Sequence, residues 1–396
     1  KRYCWRNSRK IITWDFFFLL GIIFLLNNCS FDNKSGIWKN EKTYSENKND
    51  KVFKDFKKIT STKESFNQTI PINTEFKFKS DKTIRNTSWK DIFYNINNGT
   101  KNFSYNESNQ IILKTKKITK YKSSENILFE NDNIILSDQK GNIIIFSINS
   151  NSIISKFNFY RKKFKKLNKY LNFTVEDEII YISDNIGFIY AYNYLQKKIL
   201  WAKNYKVPFR SNIKINSDKI ITSNQNNDFF VLDKNTGNLI KLIPSEENNI
   251  NNNFRNNIAL SNEEIFILNT YGTLYSIDFN DFKFNWFLNL SENFDLNIDK
   301  MFDGSAIVFN KNKVLLSSNK SFFILDSLNG SIKHKSNFSS KFKPLINNGN
   351  VFLITNNNFL ISMKLNDGKI IYSYDLNQKV ANFINTKKKN LQIKNL

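Results

Sequence analysis

The residues of this chain that could do chemistry are few. Its 396 residues include one histidine, His334, and two cysteines, Cys4 and Cys29. One imidazole cannot form a two-histidine metal site, and any Ser/His/Asp or Cys/His nucleophile arrangement would have to use His334. The 11 glycines are scattered and form no Gly-rich phosphate loop. We therefore expect a non-enzymatic protein with no metal site and no cofactor.

Paired carboxylates are the remaining catalytic possibility. Asp138, Asp184 and Asp228 lie near expected turns. Aspartate at such a position commonly accepts hydrogen bonds from the backbone amides of its own turn. We expect that structural role for the three residues, while hydrolysis by a carboxylate pair stays open without support from the sequence.

The elements that must position these residues belong to a repeat. Two apolar segments flank a tight turn in each copy, and successive turns are 38 to 48 residues apart. Tight hairpins favour residues that tolerate positive φ, chiefly glycine and asparagine. The residues that align the six copies are Gly141, Gly187, Asn227, Gly272, Lys320 and Asn358.

Repeats of 40–50 residues made of short strands are typical of a β-propeller. We predict an all-β fold, a propeller of seven or eight four-stranded blades over residues 85–396. Six copies span roughly 125–380, and Ile92–Tyr94 and Ile111–Leu113 could supply strands of a seventh blade. Propellers usually close by pairing an N-terminal strand with the last blade, which removes exposed edges.

A blade-closing position recurs after each second turn. It is tryptophan in two copies, Trp201 and Trp286, each 14 residues after the turn glycine, and His334 in another. An aromatic ring there would bury about 150–250 Å² between neighbouring blades. We expect inter-blade packing for both tryptophans and a packed, non-catalytic role for His334.

The N-terminal part of the chain is predicted to direct export. Basic residues precede the apolar run Phe16–Leu26, which is shorter than the ~20 residues of a membrane span. This pattern is typical of a signal peptide, predicted over 1–28. Residues 29–84 are rich in lysine, asparagine and serine, and are predicted to form a partly disordered polar tether.

Cys29 directly follows the predicted signal, and Leu26 lies three residues before it. This arrangement resembles a bacterial lipoprotein signal, in which the cysteine becomes the lipid anchor. Asn28 departs from the family pattern, which has a small residue before the cysteine. By the same resemblance, Ser30 after the cysteine implies the outer membrane, with the periplasm as the location of an unlipidated chain.

The blade pattern resembles the pyrroloquinoline-quinone-type propeller repeat. Together with the signal, Cys29 and the tether, it resembles the BamB family of outer-membrane assembly lipoproteins over about 85–380. The resemblance implies a scaffold subunit of the outer-membrane β-barrel assembly machinery that faces the periplasm. Implied partners are POTRA domains of a BamA-like protein, other subunits of the machinery, and unfolded outer-membrane proteins.

One inter-blade loop resembles the partner-binding loop of that family. By this resemblance, Val207 and Phe209 would be apolar anchors and Arg210 a hydrogen-bonding partner. Exposed apolar groups beside an arginine also suit an interface hot spot. The alternative is that Phe209 packs beneath a blade and Arg210 pairs with a surface carboxylate.

Two other functions remain open. The repeat family also includes quinone-dependent dehydrogenases, which need a cofactor pocket on the propeller axis and a catalytic aspartate beside Ca²⁺. A scaffold for another envelope component is the third possibility. The net charge of +24 and pI of about 9.7 suggest nucleic acid or an anionic membrane as partner when taken alone. We discount the charge, because A+T-rich codons explain much of the lysine excess, and we expect no nucleic-acid partner, because no nucleic-acid-binding motif is visible.

Overall fold

The structure is a computed structural model that divides into two compact units, Lys1–Thr62 and Lys63–Leu396. It describes residues 30–31, 38–39, 66–106, 110–111, 113–247, 256–291 and 302–385. In the first unit, strands β1 (Ser30–Phe31) and β2 (Trp38–Lys39) pair antiparallel. The predicted signal peptide and Cys29 lie outside the described residues.

Within its described residues, the second unit contains six four-stranded antiparallel sheets, each a meander of consecutive strands. We call them blades 1 to 6. Blades 1 to 3 comprise β3 (Ser123–Glu130), β4 (Asn133–Asp138), β5 (Asn142–Ser147), β6 (Ser152–Asn158); β7 (Leu171–Glu176), β8 (Ile179–Asp184), β9 (Phe188–Asn193), β10 (Lys198–Asn204); and β11 (Lys214–Asn216), β12 (Lys219–Ser223), β13 (Phe229–Asp233), β14 (Leu239–Ile243).

Blades 4 to 6 repeat this order and are followed by one short helix. They comprise β15 (Asn257–Leu260), β16 (Glu264–Leu268), β17 (Thr273–Asp278), β18 (Phe284–Asn289); β19 (Val308–Asn310), β20 (Lys313–Ser317), β21 (Phe322–Asp326), β22 (Ile332–Ser336); and β23 (Leu345–Asn347), β24 (Asn350–Ile354), β25 (Phe359–Lys364), β26 (Ile370–Asp375). Helix α1 (Leu376–Phe383) begins where the Asp375 side chain accepts a hydrogen bond from Gln378 N. No helix within the described ranges is long and apolar enough to cross a membrane.

The sequence pattern of each strand follows its depth in the blade. Second and third strands are nearly continuous in apolar residues, as in β16 and β21, because both of their faces are covered. Fourth strands are largely exposed, as in β14. The pairing of third and fourth strands shifts register in every blade, once each, and such a bulge increases the local twist.

The predicted blade-closing contacts are confirmed. The indole Nε1 of Trp201 donates to Lys234 O (2.9 Å), and the ring covers Gly237 of the next blade. Trp286 covers Gly330 in the same way, and a Cβ added at Gly330 would lie 2.6 Å from the ring. Because both glycines also have positive φ, this contact requires glycine for two reasons.

His334 occupies the equivalent place in blade 5. Its imidazole covers Gly368, where an added Cβ would lie 2.1 Å from the ring, and Nε2 is 2.9 Å from Ser336 Oγ. Burial lowers the pKa of His334. The packed role predicted for this residue is therefore confirmed.

The hydrophobic core lies between blades. Among the described residues, five clusters of buried apolar side chains each join two consecutive blades, from blades 1 and 2 to blades 5 and 6. Blades 6 and 1 are linked by the N-terminal segment, residues 66–104. Its Asp81 N donates to Asn347 Oδ1 of blade 6 (2.7 Å), and Trp89 pairs with Phe129 of blade 1.

Six blades are described, so the prediction of seven or eight is not confirmed. Ile92–Tyr94 forms a turn, with Tyr94 at φ 87°, and Ile111 is 85% exposed outside any strand. Phe66, Phe78 and Asp81, which lie in the predicted tether 29–84, contact residues of blade 6, and the bounds of the tether stay a prediction. The N-terminal pairing with the last blade is a single bridge, from Ile70 to Ser373 on the outer strand β26.

Candidate functional site

The predicted partner-binding loop, residues 206–211, lies within the stretch 205–211 that crosses from blade 2 to blade 3. Phe209 N donates to Asp184 O of blade 2 (2.9 Å), and Arg210 N donates to Ser223 O of blade 3 (3.0 Å). Pro208 O accepts from Gln225 N at 2.7 Å. The loop is thus fixed by backbone hydrogen bonds to both blades, and Val207 and Arg210 are each half-buried at the surface.

Phe209 does not have the exposed position that the resemblance implied. Its side chain is 2% exposed and belongs to the core between blades 2 and 3. The ring makes edge contacts with Tyr205 and Phe230, at centroid distances of 5.9 and 5.5 Å. Transfer of the ring from water favours this buried position, so Phe209 holds the loop in place. Of the three predicted residues, only Val207 and Arg210 reach the surface.

The turn aspartates have the structural role that we predicted in two of three cases. Asp184 Oδ1 accepts from the backbone amides of Ile186, Gly187 and Phe188 at 2.8–2.9 Å. Asp138 Oδ1 accepts from the amides of Lys140 and Asn142. The turn that contains Asp228 is capped by another residue, Asn224.

In blade 3 the turn is capped by Asn224, whose Oδ1 accepts from the amides of Asn226 and Asp228, and Asp228 Oδ2 accepts from Asn224 Nδ2. Asn269 caps the turn of blade 4 through the amides of Tyr271 and Thr273. The recurring signal is thus an Asp or Asn at the end of the second strand or directly after it, four or five residues before the third strand begins.

The second oxygens of the two capping aspartates are also bonded. Asp184 Oδ2 accepts from Tyr160 Oη (2.6 Å), and Asp138 Oδ2 accepts from Thr119 Oγ1 (2.8 Å). Burial raises the pKa of Asp184, against the effect of these hydrogen bonds. Within the described ranges, no group of three or more His, Cys, Asp or Glu side chains could hold a metal ion.

A second site lies where the first strands of the six blades meet. Residues 89–98, which we call the axial segment, contact every blade at its first strand or just before it. Trp89 exchanges two backbone hydrogen bonds with Phe129 of β3. Backbone amides of three further first strands donate to carbonyls of the segment: Val175 N of β7 to Lys90 O (2.9 Å), Leu260 N of β15 to Ile96 O (2.8 Å) and Phe309 N of β19 to Asn97 O (3.0 Å). Two lysine side chains donate to the others: Lys214 Nζ of β11 to Asn95 O (2.7 Å), and Lys343 Nζ, just before β23, to Phe93 O and Asn98 O (2.8 and 3.0 Å). These strands therefore line the propeller axis, and the chain itself fills it.

Charged residues accompany these contacts. Lys214 is fully buried, and its Nζ lies 2.8 Å from Asp91 Oδ2 of the axial segment. Burial lowers the pKa of Lys214, while Asp91 opposes this effect. Burial and the nearby charge of Lys214 lower the pKa of Lys343 to about 8. One buried amine, Lys214, and one half-buried amine, Lys343, thus lie near the Asp91 carboxylate on the axis.

The axial segment was not predicted from the sequence. The backbone of the segment is irregular, with positive φ at Tyr94 and Asn98, and its sequence shows neither strand nor helix periodicity. One available signal was Lys214, a charged residue between Ile213 and Ile215 in a strand whose side chains should be buried. A buried lysine requires a partner, and here that partner is distant in sequence.

The family of the chain follows from its blades. A family model described as outer membrane protein assembly factor BamB matches residues 139–374, more than half of the chain. The chain belongs to the BamB family. Among solved structures, BamB from Moraxella catarrhalis superposes with a TM-score of 0.52 at 16% identity, covering 63% of this chain and 74% of that chain, and it shows the shared fold.

Two further solved structures superpose with lower TM-scores. The computationally designed protein Ika8 has a TM-score of 0.44 at 10% identity, covering 63% of this chain and 86% of its own. The β-propeller domain of Myceliophteria thermophila Cps50 (Swd1) has a TM-score of 0.43 at 12% identity, covering 66% and 88%. No curated protein matches the sequence significantly.

The BamB match covers the blades and not the axial segment. It starts after β4 in blade 1 and ends in β26, the last strand of blade 6. It includes the loop 205–211. Residues 89–98 precede the matched residues, so the BamB family model does not describe the axial segment.

Proposed function

We propose that this BamB-family propeller is a non-enzymatic scaffold subunit of the machinery that assembles β-barrel proteins in the outer membrane, at the periplasmic face. The BamB family match carries this proposal. The axis supports the absence of catalysis, because a quinone-dependent dehydrogenase needs a cofactor pocket where residues 89–98 make their contacts with all six blades.

The proposed partner is a POTRA domain of a BamA-like protein, and the proposed contact is the loop 205–211. Val207 offers an apolar group and Arg210 a planar cation within a loop that backbone hydrogen bonds hold to two blades. A preorganised loop loses little conformational entropy on binding, and arginine is enriched in interface hot spots. Phe209 contributes indirectly, by anchoring the loop from below.

The test is capture of envelope proteins by the tagged, full-length protein. We expect the wild-type protein to recover a POTRA-containing barrel protein, and the Val207→Glu, Arg210→Ala variant to recover at least ~10-fold less, the loss of a typical hot-spot contact. Phe342→Glu is the matched control, because Phe342 is 46% exposed in the loop between blades 5 and 6. Equal recovery by all three proteins would exclude this loop as the interface.

Lipid anchoring through Cys29 is part of the same proposal. A lipid-modified cysteine would tether the propeller to the membrane through the polar residues that follow it. Metabolic labelling with a palmitate analogue should mark the wild-type protein and leave Cys29→Ser unlabelled, with Cys4→Ser as the control that keeps the label. Labelling of Cys29→Ser would contradict this assignment.

Unfolded outer-membrane proteins are the proposed clients, and β14 is their proposed contact. Leu239, Ile240 and Leu242 on this outer strand are 42–45% exposed. An outer strand also has unpaired backbone groups that an extended client segment could bond. We expect Ile240→Lys to weaken photo-crosslinking of an unfolded barrel protein to β14, and an unchanged crosslink yield would exclude this edge.

A further inference from the structure

The contacts of the axial segment are those of a bound peptide. Seven of its ten residues place a backbone carbonyl on a donor of the propeller: Trp89, Lys90, Phe93, Asn95, Ile96, Asn97 and Asn98. The donors come from all six blades. Backbone carbonyls are present in any polypeptide, so this set of donors recognises a chain rather than a small molecule.

Two ion pairs fix the position of this peptide. Lys90 Nζ lies 3.0 Å from Glu130 Oε1 of blade 1, and Asp91 Oδ2 lies 2.8 Å from Lys214 Nζ of blade 3. Glu130 and Lys214 are 1% and 0% exposed. A shift of one residue would place Lys90 against Lys214, so the two pairs select a basic residue followed by an acidic one. Specification of register is the best-attested role of buried polar groups.

Asn98 closes the other end of the segment. Its side-chain Nδ2 donates to Ile258 O of blade 4 (3.0 Å) and to Ile307 O of blade 5 (2.8 Å), and the residue is 0% exposed. Its positive φ of 60° turns the backbone at this point. Asparagine suits both requirements, since it tolerates a left-handed conformation and can donate two hydrogen bonds.

We propose that the propeller axis is a peptide-binding site whose occupant, in this chain, is its own residues 89–98. The site takes one polypeptide segment with an adjacent basic–acidic pair and a terminal asparagine, and it binds that segment through backbone carbonyls. Without the segment, Lys214, Lys343 and Glu130 would each lose their partners in it: Asp91 and Asn95 O, Phe93 O and Asn98 O, and Lys90, respectively. The same segment of a second copy satisfies the same contacts, so exchange between copies follows from this site.

The test measures binding of a fluorescent synthetic peptide of residues 84–104 to full-length protein. In the wild-type protein the covalently attached segment competes at an effective concentration of about 1 mM, so we expect weak binding of the added peptide. The Asp91→Lys variant disables its own segment while the channel keeps its residues. We expect it to bind the native peptide at least ~10-fold more tightly than the wild-type protein does.

A peptide with the opposite charge at position 91 provides the control. A peptide that carries Asp91→Lys should bind the same variant about 100-fold more weakly than the native peptide, because it places a second cation beside buried Lys214. A peptide of the same composition in scrambled order should not bind. Equal binding of native and charge-changed peptides, or no binding of the native peptide to the folded variant, would overturn the proposal.

A second measurement applies if the Asp91→Lys variant does not fold. A protease site inserted between Asn106 and Gln110 allows the otherwise wild-type chain to be cut after folding. We expect the N-terminal fragment to remain bound during gel filtration, and excess native peptide, but not the charge-changed peptide, to displace it. Immediate loss of the fragment, or equal displacement by both peptides, would overturn the proposal.

Discussion

The contact between a tryptophan and a glycine of the next blade can be tested with two glycines that share a backbone conformation. Gly330 has φ 70° and lies under Trp286, whereas Gly349 has φ 74° and has no heavy atom within 4 Å of an added Cβ. Alanine at a left-handed position costs about 1–2 kcal/mol for backbone reasons alone. This cost applies to Gly330→Ala and Gly349→Ala alike.

Only Gly330→Ala also disturbs the inter-blade contact. The added Cβ would lie 2.6 Å from Trp286 Cε3, about 1 Å closer than the optimal separation of carbon atoms. Such overpacking costs about 1–3 kcal/mol. We therefore expect the free energy of unfolding to fall by about 1–2 kcal/mol for Gly349→Ala and by about 2–5 kcal/mol for Gly330→Ala.

Urea unfolding followed by far-ultraviolet circular dichroism measures both values. The cause of the excess is tested by repeating Gly330→Ala in a Trp286→Ala background, where no ring opposes the new methyl group. We expect the excess over Gly349→Ala to disappear there, as a coupling between contacting residues. Equal losses for the two glycines in the wild-type background, or an excess that persists without Trp286, would refute the packing argument.

Three further predictions concern the loop, the axis and a blade-closing hydrogen bond. Phe209→Ala should lower the free energy of unfolding by about 3–5 kcal/mol, because the ring is buried; a loss below about 1 kcal/mol in urea unfolding would contradict this. Lys343 has a pKa of about 8 when folded and 10.5 as the reference value, so the unfolded chain binds more protons between these values and stability rises with pH there. The stability of the wild-type protein relative to Lys343→Met should therefore increase by about 2 kcal/mol from pH 7 to pH 10, and a flat difference would exclude a depressed pKa. Trp201→Phe keeps a ring but removes the bond to Lys234 O, and should lower the unfolding free energy by about 1–3 kcal/mol; an unchanged urea midpoint would show that this bond contributes nothing.

The blades could be predicted from the sequence because their signals are local. A turn residue such as Gly187 or Gly272 needs positive φ, and the apolar segments beside it need burial, so both features recur wherever the blade recurs. The blade-closing Trp201 and Trp286 were predictable for the same reason. Each lies at a fixed distance from its own turn and meets a glycine at a fixed place in the next blade.

The axial segment and the state of Phe209 were not predictable, because non-local contacts determine both. Nothing near Asp91 indicates that Lys214 is its partner, 123 residues away. An apolar residue beside an arginine suits an interface and a core equally. Contacts with side chains such as Phe230 on the adjacent blade decide that the ring of Phe209 is buried.

The N-terminal segment also explains how a ring of this kind can be closed. Each described blade is built from four strands that are consecutive in sequence, so no described blade combines strands from the two ends of the chain. Closure must then come from other contacts, and Asp81 on blade 6 and Trp89 on blade 1 belong to one continuous stretch of chain. Since the next residues bond the first strands of blades 1 to 5 and Lys343 just before blade 6, the same stretch joins the ring and lies on its axis. A peptide that enters the axis site would therefore compete with the closure of the propeller, so exchange at this site and opening of the ring between blades 6 and 1 should occur together.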